Sequence, residues 1–502
     1  MKHAVLINNS HIENFSVRNI SSYLKYKGFK VSTVHYEGRK DDVFNLLPQK
    51  SLQTLAEYCK GCDLVGITLL TTHLLTRSIQ ITKFLKQNIK AKIIWGGVPV
   101  ICDPEYYLQF ADYVCAGEGE HLMAQLLEEK PLKEIKGLGY IGNSGKTVIN
   151  PLEDFIDLNQ MPIPHLDIDN GYVLDNASLT PMKNNLPKSL TTYSVLSVRG
   201  CPHSCSYCLN SKLMNVFIKK GKFIRKIDPP RVIQELEWAK QNIPHLKRII
   251  IDDDDFFLRT ESEMEALLDL YMERINLPLF YLQAHIKHIT RKKLHILKQS
   301  GIQLRYLKIG LQSASIRISR DIFNRPLNLE IFLEKLKFLI ADNIRIMIDV
   351  ISDNPYETIA DNYEALLFYH EIIKIVMKYS SVDLPIKMYD HKLMYYPGSK
   401  LFDRVMKDRH IPQNYVEEVL LKRNTLRKHE EDIDNDALIV ALFNIVMQQK
   451  KNYKTAWFLL KLMGIKPFFY FMVRFNIVKN FSFLGSVPFI KRVLDKSNLV
   501  NI

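Results

Sequence analysis

The residues best placed for chemistry are three cysteines in the run Arg199-Gly200-Cys201-Pro202-His203-Ser204-Cys205-Ser206-Tyr207-Cys208. Thiolates at this CxxxCxxC spacing can hold three irons of a cubane cluster and leave the fourth iron open to a chelating ligand. A tetrahedral zinc site asks for a fourth ligand, and His203 sits inside the loop, away from the usual zinc-ligand spacing. The chain has seven cysteines, an odd number, and none follows Cys208. That pattern argues against a disulfide framework and for metal binding or redox chemistry fed from the first 208 residues. Cys59 and Cys62 form a separate CxxC near an expected helix end. A redox or cluster role would need further ligands nearby, and apolar packing is the commoner use of such cysteines.

These residues need elements to position them. With 502 residues, 47% hydrophobic and 24% charged, the chain is globular and long enough for about three domains. No charge-free apolar run reaches the ~18 residues of a membrane-spanning helix. The start, Met1-Lys2-His3-Ala4-Val5-Leu6-Ile7-Asn8, reads as a first strand rather than a signal peptide. The expected location is therefore the cytoplasm. Over residues 1–130, short β-branched runs at 4–7, 31–34, 64–69 and 92–95 alternate with helical spacing, which predicts a parallel sheet covered on both faces. Gly96-Gly97 and Gly117-Glu118-Gly119-Glu120 fall where strand ends meet helix starts, the edge at which such sheets bind ligands. Prolines at 151, 162, 164, 181 and 187 mark 131–190 as a linker with a small hairpin near 139–148. Strand-like runs at 193–198, 248–251, 279–283, 306–309, 345–351 and 386–394 are spaced for helices between them. They fit a partial (βα)6 barrel over 191–400, with the cysteine trio just after its first strand. Residues 401–502 read as mainly helical.

The trio, with the aromatic Tyr207 before its third cysteine, resembles the cluster motif of radical S-adenosylmethionine enzymes. Ile251-Asp252-Asp253-Asp254-Asp255-Phe256 is similar to that family's second-strand segment, and Gly310-Leu311-Gln312-Ser313-Ala314-Ser315 with Asn324-Arg325 to its fourth. Asp349-Val350-Ile351-Ser352-Asp353-Asn354-Pro355-Tyr356-Glu357-Thr358 resembles its fifth, and Tyr396-Pro397-Gly398-Ser399 its closing turn. The resemblance implies a [4Fe-4S] cluster on Cys201, Cys205 and Cys208 whose open iron binds S-adenosylmethionine, cleaved reductively to a 5′-deoxyadenosyl radical. It places Tyr207 against adenine, and Asp253 and Asp254 on the methionyl ammonium where the family often has Gly-Gly-Glu. Four consecutive aspartates could equally be a solvated loop or a helix cap. Gln312 and Ser313 are candidates for the ribose or carboxylate, Arg325 for the carboxylate or a surface ion pair, and Glu357 for the family's fifth-strand acid. Ser352-Asp353-Asn354 replaces the glycines expected before Glu357.

The first domain resembles the cobalamin-binding domain of one radical subgroup, a flavodoxin-like (Rossmann-type) fold. Asp63-Leu64-Val65-Gly66-Ile67-Thr68-Leu69-Leu70, Trp95-Gly96-Gly97, Pro104-Glu105 and Gly117-Glu118-Gly119-Glu120 carry the likeness. It implies Thr68 on the nucleotide tail and Gly96 and Gly97 making room for the cofactor; the plainer reading is a structural domain whose glycines only turn the chain. The subgroup's DxHxxG motif is broken here to Asn9-Ser10-His11-Ile12-Glu13-Asn14, so His11 is read as a loop histidine rather than a cobalt ligand.

The formal charge of +14 is uneven: residues 450–502 hold ten Lys/Arg and one acid, a net +9. Aromatic residues alternate with these lysines, as in a helical cap on the barrel or an interfacial helix pair on an anionic membrane. The cap is the expectation, with peripheral membrane contact secondary. The leading functional expectation is a cobalamin-dependent radical S-adenosylmethionine methyltransferase acting on an unactivated carbon or phosphorus centre. It would need an electron donor such as flavodoxin or ferredoxin and a small-molecule, lipid or peptide substrate, with no nucleic acid. The alternatives are a non-methylating radical enzyme (cyclisation, ring contraction or carbon–carbon coupling) and a metal-stabilised binding protein without turnover.

Overall fold

The structure is a computed structural model that describes residues 1–9, 12, 14–36, 46–175, 177–183, 185–415, 435–448 and 453–474. His11 lies outside the described residues. The chain divides into two compact units. The first comprises Met1–Asp254, Ser262–Leu277 and Tyr395–Leu426; the second comprises Asp255–Glu261, Pro278–Met394 and Arg427–Ile502.

The first unit is built on a nine-stranded sheet: β1 (His3–Asn8), β2 (Lys30–Tyr36), β3 (Leu64–Thr68), β4 (Lys92–Gly96), β5 (Tyr113–Cys115), β6 (Leu138–Ile141), β7 (Thr147–Ile149), β8 (Gly171–Asp175) and β9 (Ser178–Pro181). Their order is β7-β6-β5-β4-β3-β1-β2-β8-β9. The central strands pair in parallel, and β1 and β3 are apolar on both faces because helices cover both. Val5, Ile7, Val65 and Ile67 enter one core layer, and Ala4, Leu6 and Leu64 enter the other. The stretch expected to be a linker with a small hairpin near 139–148 holds that hairpin, as β6 and β7, and does more. Residues 131–190 supply four strands, with β6 and β7 antiparallel beyond β5, and β8 parallel to β2. Prolines mark the gaps between these short strands, and turn residues alone do not reveal that the intervening pieces complete a sheet.

The same unit holds the parallel pair β10 (Thr192–Val195) and β13 (Arg248–Ile251), and the short antiparallel pair β11 (Val198–Arg199) and β12 (Arg225–Lys226). The cysteine loop leaves β11, and Cys208 is the N-cap residue of the helix Leu209–Val216.

The second unit is a parallel sheet of β14 (Leu279–Ala284), β15 (Leu304–Gln312), β16 (Ile346–Ser352) and β17 (Ile386–Lys392). Helices Arg291–Gln299, Leu329–Ala341 and Ile359–Tyr379 follow the first three strands. The last of these starts at a capping box, with Thr358 and Asp361 each satisfying the other's backbone N–H. Leu307, Ile309, Ile346 and Ile348 are fully buried, as strands of a (βα) barrel require on their helix side.

The described part of the basic tail packs as a cap, but on a flanking helix. The Tyr363 hydroxyl donates to Gly464 O at 2.7 Å, and His370 Nε2 lies 2.9 Å from Leu460 O. Phe469 is buried 5.4 Å from Tyr363, and Trp457 lies edge-on to His370. Phe458 stays exposed. Among the described residues no helix is long and apolar enough to cross a membrane.

Candidate active site

A cavity of about 310 Å³ opens in the first unit at the carboxyl ends of the parallel strands, within the size range of small-molecule sites. Thr68, Gly96 and Gly97 line it on the sheet side, and Arg199, Gly200 and Asp254 line it on the side of the cysteine loop. Two glycines are required by close approach. A Cβ on Gly97 (φ +112°) would stand 2.2 Å from Leu69 O, and one on Gly200 (φ +99°) 2.4 Å from Phe223 O. The first keeps the ends of β3 and β4 tight, and the second pins the start of the cysteine loop to the segment before β12.

Cys201, Cys205 and Cys208 are buried or half-buried, and none of the seven cysteines is disulfide-bonded. Burial pushes the Cys201 thiol up to about 12; a backbone contact with His203 opposes this, while Asp254, Cys208 and Cys205 add to it. Thiols that penalise one another's ionisation are a poor place for three bare thiolates and a good one for thiolates sharing cationic iron. The donor set therefore fits a cluster. Cys102, from the helix Val98–Cys102, lies near enough to Cys208 to feel its charge, and burial pushes it up to about 12.

Asp253 departs from expectation. It is buried, and its carboxylate accepts from Ser197 N at 2.6 Å, Ser197 Oγ at 2.6 Å and Val198 N at 2.8 Å. It holds the strand end that leads to the cysteines, and Asp254 rather than Asp253 lines the cavity. Asp255 caps Phe257 N at 3.0 Å and meets His288 Nδ1 at 2.5 Å. A run of four aspartates thus splits by backbone hydrogen bonding and capping just past the end of β13, which composition does not show.

Within the second unit, Gln312, Ser313 and Glu357 line one small cavity at the ends of β15 and β16. Gln312 has φ +68°, beside the irregular pairing at Gly310 and Gln312. Arg325 donates to Gly310 O at 2.9 Å, so it braces that strand end from behind. Tyr207 is half-buried beside Cys208.

Sequence reasoning missed an ion cluster at the edge of the first cavity. Glu118 Oε1 lies 3.0 Å from Arg199 Nη1 and 2.6 Å from Arg225 Nη2; Glu118 Oε2 is 3.0 Å from Arg225 Nη1. Glu120 meets Arg199 at 3.5 Å. Burial opposes charge on Glu118, but the Arg225 and Arg199 guanidiniums overcome it and hold its carboxyl below the usual range. The available signal was two acids alternating with glycines in a loop at the ligand edge.

The Radical SAM superfamily model matches residues 195–366, and the B12 binding domain model matches residues 9–127. The chain carries a Radical SAM domain preceded by a B12 binding domain. The chain is 28% identical over 265 residues to an uncharacterized methyltransferase of Pyrococcus horikoshii, covering 51% of this chain and 53% of that one. It is 22% identical over 331 residues to the anaerobic magnesium-protoporphyrin IX monomethyl ester cyclase of Rubrivivax gelatinosus, covering 62% and 54%. It thus spans about half the length of these curated relatives. Its fold is similar to that of the radical S-adenosylmethionine methyltransferase TsrM from Kitasatospora setae, solved with cobalamin and a [4Fe-4S] cluster. That match has TM-score 0.62 and 15% identity, over 81% of this chain and 78% of that one. The cobalamin-dependent radical enzyme OxsB matches with TM-score 0.61 and 16% identity, over 96% and 72%.

The matched domains imply a [4Fe-4S] cluster, S-adenosylmethionine and cobalamin as the chain's cofactors. The cavity walls suit cobalamin. They combine apolar side chains with backbone at Gly66, Gly96 and Gly117, and Nε of the wall residue Arg225 is buried with no protein acceptor. Cys59 and Cys62 belong to a different place, the hydrophobic core under the sheet.

Proposed function

We propose that this protein is a cobalamin-dependent radical S-adenosylmethionine methyltransferase acting on an unactivated carbon or phosphorus centre. One observation carries this reading: a single cavity of the first unit has the cobalamin-type strand ends on one side and the residues flanking the cysteine trio on the other. When bound, the cluster supplies the electron that cleaves S-adenosylmethionine, and the corrinoid supplies a methyl carrier. The protein's part is to hold and shield. Cys201, Cys205 and Cys208 hold the cluster, while Asp254 and Tyr207 serve the sulfonium cofactor. In the second unit, Gln312, Ser313 and Glu357 offer polar groups at one strand end, and Arg325 keeps that end in shape. Thr68, Gly96 and Gly97 receive the corrinoid. The reading calls for a reduced flavodoxin or ferredoxin as electron donor, a small-molecule, lipid or peptide substrate and a reducing cytoplasm. Peripheral membrane contact through the basic tail completes the proposal.

The test is anaerobic reconstitution with iron, sulfide and hydroxocobalamin, followed by S-adenosylmethionine and a reductant. Formation of 5′-deoxyadenosine together with S-adenosylhomocysteine, and a one-methyl mass gain in an extracted metabolite, is the expected result. The cyclase among the relatives favours one alternative, a non-methylating radical step. 5′-Deoxyadenosine formed without S-adenosylhomocysteine would select it.

A further inference from the structure

Glu118 lies at the start of the helix Gly119–Leu127 in the cobalamin-binding domain, as its N-cap residue. Its two partners come from far along the chain. Arg199 ends β11, two residues before Cys201, and Arg225 begins β12, which pairs with β11 through Arg199↔Arg225. One carboxylate therefore clamps both strands of the ribbon from which the cysteine loop springs. All three side chains are under 20% exposed. Arg225 is fixed further, by a hydrogen bond to Ile156 O at 3.0 Å and by stacking its guanidinium 4.0 Å from the centre of the Phe155 ring. The loop is equally fixed at Gly200, whose backbone leaves no room for a side chain. Glu118, Arg199, Arg225 and Phe155 also line the cavity. A shift of the cysteine loop must pass through this clamp to the cavity wall, and a ligand pressing on the wall must pass through it to the loop.

We infer that Glu118 is a positioning residue that couples the two cofactor sites, so that filling the cluster site tightens cobalamin binding and the reverse. The inference rests on the proposed cofactor content. Coupling between sites is reciprocal and is commonly about fivefold or more in affinity. The contact proposed to differ between the two states is the Arg199–Glu118–Arg225 bridge.

The experiment measures hydroxocobalamin affinity of the full chain by visible absorbance, in the iron-free and the cluster-reconstituted forms. The wild-type dissociation constant should fall at least about fivefold on reconstitution. In Glu118→Gln, which keeps shape and loses charge, the ratio should approach one while iron content and cobalamin binding each persist. Arg199→Lys, which keeps the charge and loses the fork, should give an intermediate ratio. Circular dichroism checks that each variant is folded, and Arg199→Lys stands in if Glu118→Gln is not. A wild-type ratio of one, or an undiminished ratio in both folded variants, overturns the inference. Wild-type protein that takes up neither iron nor cobalamin overturns the functional reading itself.

Discussion

Two regions of the first unit use the same residue types to opposite ends. At the cavity edge, three cysteines share a loop whose backbone is fixed at Gly200, and Glu118 is held ionised by two guanidiniums. In the interior, Cys59 and Cys62 close the helix Gln49–Cys59 inside an apolar core. Glu235 there is fully buried against Tyr193 and Arg18. Burial pushes its carboxyl up to about 7, although Arg18 at 3.2 Å and the Tyr193 hydroxyl at 3.1 Å oppose the shift. The contrast teaches that neither a CxxC nor a buried acid marks a site. The number of cations or open coordination positions facing the group decides it.

The strongest way to break the contrast is to replace Cys201, Cys205 and Cys208 together by Ala. Iron content, the broad visible absorbance of a cluster and all 5′-deoxyadenosine formation should vanish, whereas the Cys59→Ala, Cys62→Ala double variant should keep its iron. Equal iron in the two proteins would erase the distinction.

A glycine at the cavity edge should be nearly as unforgiving. Gly97→Ala forces a Cβ against Leu69 O at a backbone angle that only glycine adopts readily. A loss on the order of 3 kcal/mol in urea unfolding and weaker hydroxocobalamin binding are expected. Gly28→Ala, where the added carbon meets open space, should cost about 1 kcal/mol and leave cobalamin binding alone.

The buried acid makes a pH prediction. Because the folded-state value of Glu235 is raised to about 7, the folded protein holds a proton that the unfolded chain releases near 4.3. Its contribution is fully present below the unfolded value and is lost as pH rises toward about 7, by at most roughly 4 kcal/mol. Urea unfolding of wild type and Glu235→Gln across that window should show the slope only in wild type. A flat wild-type profile would mean that Arg18 keeps Glu235 charged.

The smallest effect sharpens the interior side. Cys59→Ala alone should cost about 1–2 kcal/mol, as expected for removing one buried sulfur from a packed core, with cobalamin binding and iron content unchanged.

Much of the fold was legible because strands and helices advertise themselves locally. The apolar runs now seen as β1, β3, β4, β13, β15 and β16 alternate with stretches of helical period, and their buried faces follow from that pattern. Within 131–190 the small hairpin near 139–148 was legible and is the pair β6 and β7, but β8 and β9, and the joining of all four strands to one sheet, were not. They have few residues each, and the pairing with β5 and β2 is decided by partners far away in sequence. In the site, the cysteine spacing was readable because three ligands within eight residues are a local geometry. The different surroundings of Asp253 and Asp254 were not, since the two are neighbours in a loop past β13 and only the contacts of Asp253 with Ser197 and Val198, distant in sequence, tell them apart.

By itself, the sequence determined a parallel α/β domain followed by strand–helix units, a three-cysteine cluster loop placed after a strand, and glycines where strand ends must come close. These follow from periodicity, spacing and backbone freedom, which act over a few residues. Only the tertiary structure decided that Glu118 would clamp Arg199 and Arg225, 81 and 107 residues away, and that Asp253 would be consumed in holding a backbone. It also decided that the aromatic tail would pack on the helix Ile359–Tyr379. Each of these depends on desolvation and on charges brought together by folding, and such energies belong to the assembled interior rather than to any stretch of chain.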